Sequence, residues 1–209
     1  MPDLLPLLCV ALSYVLGATP TSYWVGKYGF DVDLRRRGSG NLGATNTYRV
    51  LGAKAAFPVM ATDLGKGWLP VWLFPQIDGS VAFGWAMLYG LAAILGHVFS
   101  FWVRMRGGKG VATSAGAFLA LAPWAALIAV VAWGITLATT RIVSLASLVA
   151  ALVLPVAVVL TRPPGGEALV GFTVLLTAFV FWTHRANLGR LLRGEEHRFR
   201  SRPEPHSGP

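Results

Sequence analysis

Long stretches of this chain run without a charged side chain, and no other property of the sequence narrows its possible folds more. Segments 4–26, 81–102, 144–160 and 168–182 hold no Asp, Glu, Lys or Arg, and segment 53–74 is interrupted only by Lys54, Asp63 and Lys66. A helix needs about 20 apolar residues to cross roughly 30 Å of hydrocarbon, so each segment reads as a membrane span or close to one. Soluble domains carry about a quarter charged residues, whereas here the share is 13%, against 55% hydrophobic and a mean hydropathy of +0.58. The expected fold class is an all-α polytopic membrane protein. The net charge of +9 would alone suggest nucleic acid, but the apolar runs exclude that partner class. Cys9 is the single cysteine, which rules out an intrachain disulfide scaffold. Asp3, with no Lys or Arg before Lys27, leaves the amino terminus without the basic region of a secretion signal, so the first span is expected to stay in place.

The span count turns on segment 111–139, which is too long for one untilted helix and carries Pro123 near its middle. Cytoplasmic loops are enriched in Lys and Arg. One span there gives six in all, and placing Arg35, Arg36 and Arg37 inside then strands Arg141 and the basic tail outside. Two spans there give seven and leave only Arg162 on the outer side. The reading is therefore seven transmembrane helices, with the N-terminus outside and the C-terminus cytoplasmic. Residues 1–194 form a single integral membrane domain without an internal repeat, and 195–209 are expected to be a polar, disordered cytoplasmic tail.

The polar motifs converge on that cytoplasmic face. Gly38-Ser39-Gly40-Asn41-Leu42-Gly43-Ala44-Thr45-Asn46 contains Gly-x-Gly-x-x-Gly but follows no strand, so it is no dinucleotide motif. Its glycines can still turn N–H groups around an anion, Ser39 and Thr45 add hydroxyls, and Arg49 can grip phosphate bidentately. The same residues also suit a flexible basic loop. Asp63 and Lys66 stand at i, i+3 within an apolar helix, as a structural ion pair or as a substrate contact. After Gly96-His97, the run Arg106-Gly107-Gly108-Lys109-Gly110-Val111-Ala112-Thr113 has Val111 where a Walker A loop needs Ser or Thr. It remains a glycine-rich anion cradle placed just ahead of a helix N-terminus. Arg141-x-x-Ser144 opens a later helix, and His184-x-x-Asn187-x-x-Arg190 spaces three polar residues along one helix face. They either move a proton and hold a hydroxyl or form a plain interfacial turn. Carboxylates are too few and scattered for a metal site.

Taken in order, these motifs resemble the bacterial acyl-phosphate:glycerol-3-phosphate acyltransferases, multi-span enzymes of phospholipid synthesis. The resemblance covers nearly the whole chain except its tail. Departures are Ser100 where the family usually has Pro, Arg106 for Lys before Gly-Gly-Lys-Gly, and Gly17-Ala18-Thr19-Pro20 for Gly-Ser-x-Pro. What it implies is transfer of a fatty acyl group from acyl phosphate to the 1-hydroxyl of glycerol 3-phosphate, giving lysophosphatidic acid and phosphate. Neither acyl-CoA nor acyl carrier protein serves directly. Accordingly, the His-x-x-x-x-Asp motif of acyl-CoA-dependent enzymes is missing, since Trp102 and Gly189 stand at that distance after His97 and His184.

The implied catalytic residues are Ser39, Lys109, His184 and Asn187. The implied binding residues are Gly38, Gly40, Asn41, Thr45, Asn46, Arg49, Lys66, His97, Gly107, Gly108, Gly110, Thr113, Arg141 and Ser144. His184, His97 or a substrate phosphate oxygen is the base. The expected partners are acyl phosphate, glycerol 3-phosphate and membrane lipids, with no nucleic acid, metal or cofactor. The expected setting is a monomer in the bacterial cytoplasmic (inner) membrane, with its active site facing the cytoplasm. The rival class is a transporter or channel for organic phosphates, which often shows inverted repeats that this sequence lacks.

Overall fold

The computed structural model describes residues 4–199, which are helical wherever they are regular. The helices are α1 (Leu4–Ala18), α2 (Thr21–Trp24), α3 (Ala44–Leu51), α4 (Ala53–Asp78), α5 (Phe83–Val98), α6 (Val111–Leu121), α7 (Pro123–Thr140), α8 (Val143–Thr161), α9 (Gly166–Thr183) and α10 (Arg185–Leu192). Among the described residues, five segments are long and apolar enough to cross a membrane: Leu4–Gly29, Phe83–Val103, Pro123–Thr140, Val143–Thr161 and Gly166–Thr183. α4 has 26 residues, about 39 Å at 1.5 Å per residue, but buries Asp63 and Lys66 within it. α6 is apolar but has only 11 residues.

Segment 111–139 is two helices, as its proline suggests. Ala122 leaves the helical region, and Pro123 opens α7 at a position where its missing N–H removes no helical bond. The first apolar segment also breaks, which its composition did not reveal. α1 stops at Ala18, and the chain resumes as α2 beyond Pro20. Carbonyls freed inside an apolar bundle need donors. The Ser100 hydroxyl donates to the Ala18 carbonyl, and Lys66 Nζ donates to Thr19 O at 3.0 Å while pairing with Asp63 at 2.8 Å. Ser100, a departure from the family pattern, thus covers a backbone break.

Small residues set the tightest helix crossings. A methyl on Gly67 of α4 would strike the Thr113 carbonyl of α6, and one on Gly116 of α6 would strike the Leu64 carbonyl of α4. Gly17 and Gly96 make the same reciprocal approach between α1 and α5. Apolar helices in lipid gain nothing from hydrophobicity alone when they pair, so such close backbone contact supplies the attraction. Leu127, Val131 and Ile135 of α7, with Val156 and Val159 of α8, are exposed, as side chains facing lipid would be.

Candidate active site

Asn46 is buried in the first turn of α3 and shapes the loop ahead of it. Its Nδ2 donates to the carbonyls of Leu34 and Arg37 at 3.2 and 3.1 Å, and its Oδ1 accepts the Ser39 N–H at 2.8 Å. These bonds use both amide hydrogens and leave the side chain committed to backbone. Gly38 sits at φ +59, and a methyl there would run into Asn46 Oδ1, so the turn requires glycine. The loop and α3 then present Ser39, Asn41, Thr45 and Arg49 to a pocket.

The second glycine loop folds flat against the end of α5. Gly107 N–H donates to Val98 O at 2.9 Å and Gly108 N–H to His97 O at 3.1 Å, so those amides are spent. A methyl on Gly108 would meet His97 Nε2 and the Leu42 carbonyl, which is why the two glycine loops can stack. Lys109 emerges beyond them. Gly110, at φ +83, turns the chain into α6, and Val111 and Ala112 of its first turn line the pocket.

The third component is the junction of α9 and α10. His184 is buried, with Nδ1 2.8 Å from Val180 O. A carbonyl can only accept, so the neutral ring carries its proton on Nδ1, a tautomer assigned from this bond, and leaves Nε2 as an acceptor. Asn187 Oδ1 accepts from Lys109 Nζ, and Asn187 Nδ2 donates to Glu196 Oε1 at 2.7 Å. Arg190 Nε donates to Glu196 Oε2 at 2.8 Å. Burial, reinforced by Arg190 and Arg49 and opposed by Glu196, lowers the Lys109 pKa to about 8. Burial and then the Lys109 charge push His184 down to about 4, so its ring is neutral at pH 7. Burial raises the Glu196 pKa, but bonds from Asn187 and Arg190 outweigh it and hold the carboxyl below its ordinary range.

These groups share one pocket of about 720 Å³. Its polar lining comes from helix ends and loops, whereas Phe118, Ala129, Trp133, Ala151, Leu154 and Leu176 continue it among α6 to α9. Of the expected residues, Ser39, Asn41, Thr45, Asn46, Arg49, His97, Lys109, Gly110, Ser144, His184 and Asn187 line it. Lys66, Gly107 and Gly108 border a smaller cleft beneath, which Asp63 and His97 also reach. Gly38 and Gly40 shape the first loop from positive φ. Thr113 is fully buried, with its carbonyl against Gly67, and the Arg141 side chain is exposed. Glu196 was not legible as a site residue, because it falls in the segment expected to be a disordered tail. Residues 195–199 instead lie along the pocket, and Phe199 stacks on Tyr48 at 4.8 Å between ring centroids. For 200–209 that expectation lies outside the described residues.

Apolar helices around a cavity that is cationic at its mouth and apolar within define the chain as a polytopic membrane protein with a site at the helix ends. Residues 7–194 match the family model described as glycerol-3-phosphate acyltransferase, and the chain belongs to that family. The glycerol-3-phosphate acyltransferase of Fusobacterium nucleatum subsp. nucleatum is 40% identical over 191 residues, covering 91% of this chain and 96% of that protein. Glycerol-3-phosphate acyltransferase 2 of Moorella thermoacetica is 42% identical over 196 residues, covering 94% and 98%. A crystal structure of PlsY (YgiH), described as an integral membrane glycerol 3-phosphate acyltransferase in its glycerol 3-phosphate form, is similar with a TM-score of 0.86. That match is 34% identical and covers 94% of this chain and 96% of PlsY.

Proposed function

We propose that the chain transfers a fatty acyl group from acyl phosphate to the 1-hydroxyl of sn-glycerol 3-phosphate, releasing lysophosphatidic acid and inorganic phosphate. The observation that carries this reading is the single pocket joining Arg49, Lys109 and Arg190 to an apolar interior. Both substrates bear phosphate and one bears an acyl chain. Acyl phosphate is a mixed anhydride with a good leaving group, so positioning and charge stabilisation suffice without a protein nucleophile. The glycerol oxygen attacks the acyl carbon, the bond from that carbon to the phosphate oxygen breaks, and the hydroxyl proton leaves with the phosphate. Lys109, Arg49 and Ser39 hold phosphate, Asn187 fixes Lys109, and His184 Nε2 accepts a hydrogen bond from the attacking hydroxyl. A ring with a pKa of about 4 is a poor proton store. A substrate phosphate oxygen is the better one.

Purified protein in detergent, given acyl phosphate and glycerol 3-phosphate, is expected to form lysophosphatidic acid and phosphate, and to form none with acyl-CoA. Turnover with acyl-CoA alone would overturn the donor assignment.

The setting proposed is the bacterial inner membrane, with α1, α4, α5, α6, α7, α8 and α9 as seven spans, the N-terminus outside and the site facing the cytoplasm. The carrying feature is charge placement, since the Arg35–Arg37, Arg104–Lys109 and Arg185–Arg193 stretches then share a side. In a Cys9→Ser background, an impermeant thiol reagent applied to intact spheroplasts is expected to label Gly79→Cys and Pro164→Cys. Arg106→Cys is expected to react only after permeabilisation, and the reverse pattern would invert the topology.

A further inference from the structure

Glu196 reaches the site from beyond the last helix, and its carboxylate is held on several sides at once. Its side chain is 7% exposed. It accepts from Asn187 Nδ2 and Arg190 Nε, and the Ser144 hydroxyl at the start of α8 faces it. The segment carrying it is tied at both ends. Glu195 N–H donates to Arg190 O at 2.8 Å, while at the far end Phe199 N–H donates to the Arg141 carbonyl and the Phe199 ring stacks on Tyr48.

We propose that Glu196 is a positioning residue of this active site, delivered by the 195–199 strap, which fixes the Asn187 amide and the Arg190 guanidinium so that Lys109 is presented to phosphate. The inference rests on the acyl-transfer reading above. A primary amide can sit either way round, and its neighbours decide which way. A carboxylate only accepts, so the Asn187 NH₂ must face Glu196, and its oxygen is left to hold the Lys109 ammonium. Reversed, the amide would set its NH₂ against that ammonium. Arg190, anchored through Nε, keeps its terminal N–H groups for a second anion. The charged groups acting on Lys109 are Arg49 and Arg190, which oppose its charge, and Glu196, which supports it; the neighbouring His184 ring is neutral.

The test uses the full chain in detergent, with initial rates measured against pH for acyl phosphate and glycerol 3-phosphate. Wild-type turnover comes first, because its absence would overturn the acyl-transfer reading and not the role of Glu196. Given turnover, Glu196→Gln sets an NH₂ among donors and removes the charge. It is expected to lower kcat/KM for glycerol 3-phosphate about tenfold or more at pH 7.5 and to move the alkaline limb about one pH unit lower. Glu196→Asp is expected to restore the limb and part of the rate. A wild-type profile in Glu196→Gln would overturn the proposal. So would equal losses in both variants with an unmoved limb, which is the pattern of a purely structural residue. If Glu196→Gln shows no cooperative thermal transition, Phe199→Ala replaces it, since it loosens the far end of the strap and spares the carboxylate. It is expected to move the limb the same way by a smaller amount, and an unmoved limb would overturn the proposal.

Discussion

In the proposed reaction Lys109 needs opposite things from its surroundings: enough burial to meet phosphate without competing water, and enough support to keep its proton. With a pKa lowered to about 8, the sign of its pH dependence follows. On the proposed reading the protonated form is the one that binds phosphate, so kcat/KM is expected to be steady below that value and to fall as pH rises through it, about tenfold per unit. Bound phosphate favours the ammonium, so the limb in kcat lies at higher pH. Lys109→Met is expected to cost about 10² to 10³ in kcat/KM. Lys109→Arg, charged throughout, should remove the limb from the pH profile even where its absolute rate is lower. Asn46 calls for a different measurement, because its amide serves the loop and not the ligand. Asn46→Asp sets carboxylate oxygen against the Leu34 and Arg37 carbonyls. A loss of about 1–3 kcal/mol in unfolding free energy, with a raised KM for glycerol 3-phosphate, is expected; an unchanged melting temperature would sink that role. That Lys109, Arg49, His184 and Asn187 would share one pocket was legible in the sequence, because residue type and spacing single them out within apolar surroundings. The glycine roles were not, since a glycine shows that backbone comes close without saying to what. Gly107 and Gly108 spend their amides on Val98 and His97. Glu196 depends on the chain turning back at Gly194, at φ +71, which no periodicity encodes.

Among the elements, α4 and α6 show how a short or polar helix holds its place in an apolar bundle. Each offers a glycine to the other's backbone, so the pair approaches more closely than larger side chains would allow. Gly116→Val, driving a branched side chain into the Leu64 carbonyl, is expected to destabilise the detergent-solubilised protein by about 1–3 kcal/mol. Gly134→Ala on α7, where a methyl meets nothing, is expected to be neutral or stabilising by up to about 1 kcal/mol. Thermal unfolding of the two side by side decides the matter, and equal effects would show that the crossing is not the cause. Apolar runs marked most helices, and Pro123 marked the division of 111–139. They did not mark the stop at Ala18, because its freed carbonyls are answered from distant Lys66 and Ser100. The same contacts give intramembrane Lys66 a structural task that composition leaves open.

At the scale of the whole molecule, the pocket joins two environments along the helix axes. Polar groups sit where helices end, and the cavity runs inward between α6, α7, α8 and α9. Leu154 lies about 15 Å deeper along α8 than Ser144, at 1.5 Å per residue. Ala126, near the start of α7 and far from that helix's site end, lines the same cavity with Phe118, Leu154 and Leu176. An acyl chain whose head is held at Lys109 would therefore place its far methylenes beside Ala126. Ala126→Leu fills that space with a few carbons' worth of side chain. If it excludes two or three methylenes at about 0.8 kcal/mol each, kcat/KM for a long-chain acyl phosphate falls roughly 15- to 60-fold. A short-chain donor that never reaches this depth keeps its wild-type value. The measurement is a competition between two chain lengths in one reaction, which cancels differences in the amount of active protein. A proportional loss for both lengths would mean that the substitution disturbs the bundle. A selective loss for the longer chain would make the floor of this cavity the gauge of acyl length.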